Sequence, residues 1–509
     1  MTRSASPNQP TCLPAPPARP PSWLHDSEVQ AWQADLDQRV ARVLVDSEQG
    51  LGFLEEHVEQ ASLEPRRLVL ERALQAKADM VPCHCAKCQG PLIRLDRLSR
   101  SIRSRFGPVR LTRSYGWCAR CEAWSFPADL ALGLAANVTA SPFIQEVAAL
   151  LVSKMPAAQA EIVAQRLIGV PLTRSTLDRE ARRQGQRAQE LRTEDCALLD
   201  SWNTVQAEAS SLKQAPAQKP FTLILEIDAW NIRQRDDWGQ TEEQLALGKK
   251  PERWHWVYTA TCFRLDHRGS TAGKRPIISE RGYVATRLGI DDLMRQLHRE
   301  AVRRGLWEAK EVLVIADGAV WIWNAVTDRF PKARQRLDLF HLNQHLWEVA
   351  HDLHGRDTPQ ARAFVEPLLA RIRDDRAVDV IAQLEELKPQ LAEAQRLKLE
   401  KQAQYLSNNL GRMEYKQALQ AQRAQRARSK KNPPCPAAPA PATPAPLPEP
   451  VGSGAIESTA RQYQCRFKRT GQFWTQVGDE ALLCLETLWR NERWTDLFPH
   501  ARLTAAARN

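Results

Sequence analysis

Two Cys-x-x-Cys pairs constrain this chain more tightly than any other local feature. Cys85 and Cys88 form the first, in "CHCAKCQG"; Cys118 and Cys121 form the second, in "YGWCARCEAW", with 29 residues between them. A two-residue gap lets a tight turn present both sulfurs to one point, and four thiolates satisfy tetrahedral zinc. The intervening "RSIRSRFGPVRLTRSYGW" predicts a hairpin turning at Phe106-Gly107-Pro108. Val109, Leu111, Tyr115 and Trp117 are expected on one face, and Arg110, Thr112 and Ser114 on the other. Together these predict a zinc ribbon over residues 81–130, with a structural Zn2+ and with Cys83 and His84 as spectators. Cys12, Cys196, Cys262, Cys435, Cys465 and Cys484 are scattered and expected to be free.

The ribbon is strongly basic. Arg94, Arg97, Arg100, Arg103, Arg105, Arg110 and Arg113 face a single acid, Asp96, in this stretch. Over all 509 residues the formal net charge is +11. Such a balance favours a polyanionic partner, nucleic acid first, and Arg103, Arg105 and Arg110 are expected to touch DNA phosphates. No run of eighteen apolar residues appears, so no membrane span is expected. The first 22 residues lack the apolar core of a signal peptide and read as a disordered, proline-rich leader. The expected location is cytoplasmic, associated with the nucleoid when DNA is bound.

Residues 23–80 carry apolar positions at helical spacing. Residues 131–215 are helical again and contain "AQAEIVAQRLIGVPLTRSTLDREARRQGQ". Ile162, Val163, Leu167 and Ile168 suggest an apolar face, Gly169 a break, and Leu177 an inward residue of a second helix. That second helix carries Arg174, Arg179, Arg182 and Arg183. The pattern predicts a helix-turn-helix-like domain with these arginines directed at DNA; a plain basic helical hairpin is the alternative.

From residue 216 to 345 the pattern becomes mixed α/β. "FTLILEIDAW", "HWVYTATCFRL" and "RGYVATRL" read as strands, "DDLMRQLHREAVRRGL" as an amphipathic helix, and "EVLVIADGAV" as a strand ending in Asp-Gly. "WIWNAVTDRF" reads as a helix and "RQRLDLFHL" as another strand. Residues 346–430 read as an all-helical insertion. Residues 431–450 read as a Pro/Ala-rich linker, with nine prolines between 433 and 450. Residues 451–509 then resume the sheet domain and close with helices.

Asp228 and Asp317 each end an apolar strand. Carboxylates held rigidly at neighbouring strand ends can share divalent cations, because magnesium prefers a few carboxylates with water and phosphate oxygen. Glu457, in "PVGSGAIES", is the best third carboxylate, with Arg461, Gln464 and Lys468 near its helical face and Arg466 and Arg469 adding charge further round. Glu226 is expected on the opposite face from Asp228. Asp236, Asp237 and Asp328 sit in polar contexts, and Glu480 and Glu486 are expected at a helix surface.

The order of these features resembles DDE transposases with a ribonuclease H-like core, and most specifically the ISKra family of insertion-sequence transposases, relatives of Mutator-type transposases. The resemblance covers roughly residues 80–500 and rests on the two strand-end aspartates, "LDLFHL", "YLSNNLGRMEY", and the block Gly452, Ser453, Gly454, Glu457, Gly471, Trp474 and Trp494. It implies a ribonuclease H-like catalytic core with an all-helical insertion, preceded by the zinc ribbon and the helix-turn-helix-like domain. It implies Asp228, Asp317 and Glu457 as catalytic residues holding two Mg2+ (or Mn2+) ions, with Asp338 and His341 accessory. The implied activity is cleavage and strand transfer of DNA by a homo-oligomer bound to terminal inverted repeats and target DNA. One departure is an extra segment at about 418–450, since the family passes quickly from "NN…RMEY" to "GSG". The alternative is a catalytically inactive or domesticated sequence-specific DNA-binding protein; a zinc-only adaptor leaves the strand-end acids unexplained.

Overall fold

A computed structural model describes residues 23–46, 50–200, 220–235, 241–249, 253–270, 276–431 and 448–499. The leader 1–22, most of the 431–450 linker, and Cys12, Cys435, Asp236 and Asp237 lie outside the described residues. The chain divides into two compact units, residues 1–147 with 161–173, and residues 148–160 with 174–509. Among the described residues no helix is long and apolar enough to cross a membrane.

The first unit opens with two helices, α1 (Asp26–Val45) and α2 (Leu51–Asp79). A hairpin of β1 (Ile93–Ser104) and β2 (Gly107–Cys118) follows, and the short β3 (Ala123–Ser125) pairs with the end of β2. Gly107 follows the turn at φ +107, a backbone region that favours glycine. The edge of β2 is closed by α2: Gln75 bonds both the N–H and the C=O of Thr112, at 2.9 and 2.7 Å, and Glu71 accepts from Arg110 N at 2.8 Å. Ile102, Val109, Leu111, Ala78 and Ala128 form the core beneath. The predicted alternation holds through Leu111 and then changes. β1 carries one extra residue between Ile93 and Asp96, and past Arg113 the covered side of β2 changes: Gly116, against Leu92 and Leu95, and Cys118 are buried, while Tyr115 and Trp117 are only half-buried. After α3 (Pro127–Ala131) come α4 (Pro142–Lys154) and α5 (Ala157–Ile168), which the two units share.

In α5 the expected apolar face is not the packed one. Ile162 and Leu167 are exposed, and Ala160 and Ala164 are buried instead. Gly169, at φ +70, ends the helix as expected. The second unit continues with α6 (Arg174–Ala197), whose Leu177 is fully buried.

The second unit is built on one five-stranded sheet of β4 (Thr222–Gln234), β5 (Arg253–Arg264), β8 (Gly282–Thr286), β9 (Glu311–Ala316) and β10 (Arg334–Leu337), in the order β10-β9-β4-β5-β8. β4, β9 and β10 run parallel; β5 is antiparallel to β4, and β8 to β5. A small ribbon of β6 (Arg268–Ser270) and β7 (Pro276–Ile278) lies outside the sheet, and α7 (Thr241–Ala246) lies between β4 and β5. β4 and β9 read as continuous apolar runs because both of their faces are covered. Leu223, Leu225, Ile227 and Val314 pack with Leu293 and Leu297 of α8 (Ile290–Arg303), Ile322 of α9 (Val320–Arg329) and Leu342 of α10 (Leu339–His354). Ile224, Leu313 and Ile315 face the other way, toward Ala455.

The expected insertion is helical throughout: α10 is followed by α11 (Pro359–Arg373), α12 (Ala377–Leu387), α13 (Glu393–Asn408) and α14 (Lys416–Lys431). Its core is continuous with that of the sheet, and Tyr415 donates to Leu337 O at 2.9 Å. "RQRLDLFHL" is a strand only as far as Leu337. Asp338 then caps α10, accepting from Phe340 N at 2.6 Å, because an Asp side chain competes for the backbone N–H of a first helical turn. The chain is described again from residue 448, and α15 (Gly454–Phe467), α16 (Gln476–Arg490) and α17 (Trp494–Leu497) complete the unit.

Candidate metal and catalytic sites

The four cysteine sulfurs lie within 4.8 Å of one another. Cys85 Sγ is 3.8 Å from Cys121 Sγ, and Cys88 Sγ is 3.5 Å from Cys118 Sγ. Zinc–sulfur bonds of about 2.3 Å place tetrahedral sulfurs roughly 3.8 Å apart, so the cluster can hold a zinc ion. Backbone N–H groups of Cys88 and Lys87 bring the Cys85 thiol down to about 6, toward the thiolate that a zinc ligand requires. His84 is exposed and stands outside the cluster.

The arginines of the hairpin divide into two groups. Arg113 and Arg100 both pair with buried Asp129, at 2.6 and 2.9 Å, and Arg97 pairs with Asp79. Arg103, Arg105 and Arg110 are exposed, with Arg105 over the Phe143 ring. On α6, Arg182 pairs with Asp178, and both Arg179 and half-buried Arg183 pair with buried Glu180. Arg174 is exposed.

The second site lies at the carboxyl ends of the parallel strands. Ile227, Ala316 and Leu337 pair in one row across β4, β9 and β10. The next residue of each strand is an aspartate: Asp228, Asp317 and Asp338. Parallel register therefore brings together three acids that lie up to 110 residues apart. Asp228 accepts from Ala229 N at 2.7 Å and Asp317 from Ala319 N at 2.9 Å, which fixes both side chains. Asp317 directly follows β9, but Asp228 is not at the strand end the sequence predicted: β4 runs on to Gln234, paired with β5, and Asp228 marks only the point where its pairing with β9 stops.

Glu457 reaches this row on the first turn of α15. Two buried carboxylates seat that helix. Glu226 accepts from Ile456 N at 2.7 Å, and Asp338 accepts from Ser453 N at 3.1 Å and from the Ser453 hydroxyl. A Cβ at Gly452 would lie 3.1 Å from Asp338 Oδ1, so glycine permits the close approach. Asp338 also bonds His341 Nδ1 at 3.0 Å. Glu226 thus shares a face with Asp228, contrary to expectation, because residues two apart on a strand point the same way. Sequence reasoning passed over it, although its parity with Asp228 marked it.

The electrostatics describe a crowded anionic centre. Burial lifts the Asp228 carboxyl to about 6; Asp317 and Glu457 push the same way, against the Ala229 amide and His341. Burial likewise lifts Glu226 to about 8, against the Ile456 amide. Burial would lift Asp338 too, but the hydrogen bonds from His341, Ser453 and Phe340 outweigh it and hold it low. His341 is raised by its bond to Asp338, so its cation is favoured beside Asp317 and Asp228.

The most compact ligand-capable group here is Asp338, His341 and Glu457, whose donor atoms lie within 4.8 Å of one another. Asp338 is fully buried and its oxygens already accept four hydrogen bonds. Half-buried Asp228, Asp317 and Glu457 retain oxygens for the hard cations that prefer them. Arg461 and Lys468 are exposed on or just beyond α15, but Arg466 is buried and donates to Val152 O at 2.8 Å, adding nothing to the basic surface. Glu480 and Glu486 are also buried, paired with Arg192 at 2.6 Å and Lys154 at 2.5 Å, because α16 is covered on the faces they occupy. Exposed Asp328 stands as expected. No protein-family model matches the chain, and no curated protein shows significant similarity to it.

Proposed function

We propose that this protein is a DDE-type transposase of a bacterial insertion sequence, which binds terminal inverted repeats and catalyses metal-dependent DNA cleavage and strand transfer. The observation that carries the reading is the convergence of Asp228 and Asp317, on adjacent parallel strands, with Glu457, returned to them from beyond a helical insertion. The strand order, third-second-first-fourth-fifth with only the second strand antiparallel to its neighbours, is that expected of a ribonuclease H-like core. The basic chain and the four-cysteine cluster fit a DNA-binding role.

Asp228, Asp317 and Glu457 would hold magnesium or manganese, which supplies charge stabilisation at the scissile phosphate and acidifies an attacking water or hydroxyl. The chain's own contribution is geometric. β4 and β9 hold two acids in register, and Asp338 with Glu226 fixes the start of α15 and so the third. His341, whose proton the bond to Asp338 holds more tightly, would offer a charged donor beside the carboxylates when protonated. A structural zinc at Cys85, Cys88, Cys118 and Cys121 would order the β1–β2 hairpin that displays Arg103, Arg105 and Arg110.

The test is magnesium-dependent cleavage of duplexes carrying the terminal repeats that flank the gene. Asp228→Asn, Asp317→Asn and Glu457→Gln should each lower cleavage by about a thousandfold or more while mobility shifts persist. Cleavage unaffected by Glu457→Gln overturns the assignment; repeat binding by the wild type without cleavage returns the DNA-binding alternative.

A further inference from the structure

The segment "YLSNNLGRMEY" (405–415) ends α13 and leads into α14, and the proposed function leaves it without a role. Its side chains grip the elements that carry the acids. Tyr415 is fully buried and donates to the carbonyl of Leu337, the residue before Asp338. Arg412 donates to Gln335 of β10 at 2.7 Å and lies over the Trp323 ring of α9. Buried Asn409 donates to Tyr405 O at 2.9 Å, closing the end of α13.

Tyr405 reaches the neighbouring strand, just past Asp317. A Cβ at Gly318 would lie 2.1 Å from Tyr405 Cε2 and 2.6 Å from its hydroxyl oxygen. Gly318 is not at a positive φ, so the ring and not the backbone calls for glycine after Asp317. The ring also lies against His345 of α10, with centres 4.0 Å apart, and His345 bonds Gln402 at 2.8 Å.

The two tyrosines differ in one respect. The Tyr415 proton has an acceptor, whereas the Tyr405 hydroxyl is buried and no acceptor among the described residues takes its proton. Such a group costs stability, and native chains rarely keep one without a use. The phenol stays protonated, because burial raises it and the charges of Asp317 and then Asp338 push the same way. Asp338 already accepts four hydrogen bonds, but among the described residues Asp317 accepts only from Ala319 N, through Oδ1. Asp317 Oδ2 is thus the open anionic acceptor beside the turn that Tyr405 covers. Carboxylates that hold metals are themselves held by hydrogen bonds from residues behind them.

We propose that Tyr405 is a positioning residue for Asp317: its ring fixes the Asp317-Gly318 turn, and its hydroxyl donates to Asp317 Oδ2 when that carboxylate serves as a metal ligand. The helical insertion thereby sets one ligand of the cation site. This rests on the reading of Asp317 as a magnesium or manganese ligand.

The test is a manganese titration of the full chain without DNA, with unbound Mn2+ read by electron paramagnetic resonance. Wild-type protein should bind manganese, and Asp317→Asn should mark which binding involves that carboxylate. Tyr405→Phe keeps the ring and removes only the hydroxyl. It should weaken the Asp317-dependent binding by about 10-fold or more, while melting close to the wild-type temperature in metal-free buffer. In cleavage of terminal repeats, the magnesium concentration for half-maximal rate should rise by a similar factor, with the rate at saturation largely kept. Unchanged manganese affinity in Tyr405→Phe overturns the positioning role. So does affinity that falls only together with melting temperature, which would leave a packing contact, and so does a wild type with no Asp317-dependent manganese binding. If the wild type cleaves terminal repeats and Tyr405→Phe needs no more metal to do so, only the positioning role fails. A hydroxyl-dependent manganese site in a protein that never cleaves leaves that role standing and removes the transposase reading.

Discussion

At the scale of single residues, Asp338 shows how a buried charge acts through its neighbours. Its carboxylate holds Ser453 and orients His341, so Asp338→Asn keeps the shape but puts an amide NH2 against donors whichever way it is turned, since both oxygens already accept. Cleavage should fall about 10–100-fold, as for other residues that orient a site. The His341 proton titration, followed by NMR, should move down, since the bond to Asp338 is what raises it. A normal His341 titration with reduced cleavage would leave only a packing role. Asp195 gives a second residue-scale prediction. It pairs with Arg299 and Arg493 at 2.9 and 3.0 Å and with Arg303. Burial raises its carboxyl, but the Arg303 hydrogen bond and the arginine charges outweigh burial and hold it at about 2. A carboxyl depressed below its unfolded value of about 3.9 adds stability that is fully present above that pH and lost as pH falls through the folded value. Asp195→Asn should therefore cost about 3 kcal/mol or more near neutrality, and less as pH drops below about 4. Equal losses in denaturant melts at both pH values would contradict this. None of these pairings was legible from the sequence. An apolar run closing on an acid marked Asp228 and Asp317, though β4 runs on past Asp228, but the burial of Glu480, Glu486 and Arg466 depends on partners hundreds of positions away or on helices packed over them.

At the scale of elements, periodicity was enough wherever one chemistry dominated. The runs ending at Asp228 and Asp317 are strands because apolar residues fill both faces, and the helical insertion follows from apolar spacing with no strand between. Where a single side chain decided, the pattern misled. Asp338 ends a strand and starts a helix within "RLDLFHL", and past Arg113 the covered side of β2 changes, leaving Tyr115 and Trp117 half-buried while Gly116 lies against Leu92 and Leu95. Gly185, in the interior of α6, is another such position. Glycine there ought to be a liability of about 1 kcal/mol against alanine. A Cβ at Gly185 would, however, lie 2.5 Å from Ala481 Cβ and 2.6 Å from its carbonyl oxygen on α16. Gly185→Ala should consequently destabilise the unit by about 1–3 kcal/mol. Adding Ala481→Gly removes the Cβ contact but not the carbonyl, so it should restore only part of the loss. A stabilised Gly185→Ala protein would show that helix propensity, not packing, governs the position.

At the scale of the whole molecule, the two units present two kinds of metal chemistry. Cys85, Cys88, Cys118 and Cys121 can hold zinc in a soft, closed site in the first unit, and on the proposed reading the half-buried acids around Asp228 in the second would form a hard, oxygen-rich one. Hard sites that keep water ligands release magnesium readily, whereas structural zinc binds with a free energy of about 10–16 kcal/mol at neutral pH. Brief dialysis against a chelator should therefore abolish cleavage reversibly, and adding magnesium should restore it while one zinc per chain stays bound. A thiol-reactive mercurial, or Cys121→Ser, should release that zinc. Hydrogen exchange should then lose protection across β1, β2 and β3 but keep it in β4 and β9, because each unit has its own core. Magnesium should not rescue binding of the terminal repeats in the zinc-depleted protein, since the exposed arginines of the hairpin would no longer be held in one geometry. Acid should act in the same direction as the mercurial, because protons compete with zinc for the thiolates. Equal loss of protection in β4 and β9 on zinc release would mean that the units do not fold independently, and zinc-free protein with full repeat affinity would remove the hairpin from the DNA interface.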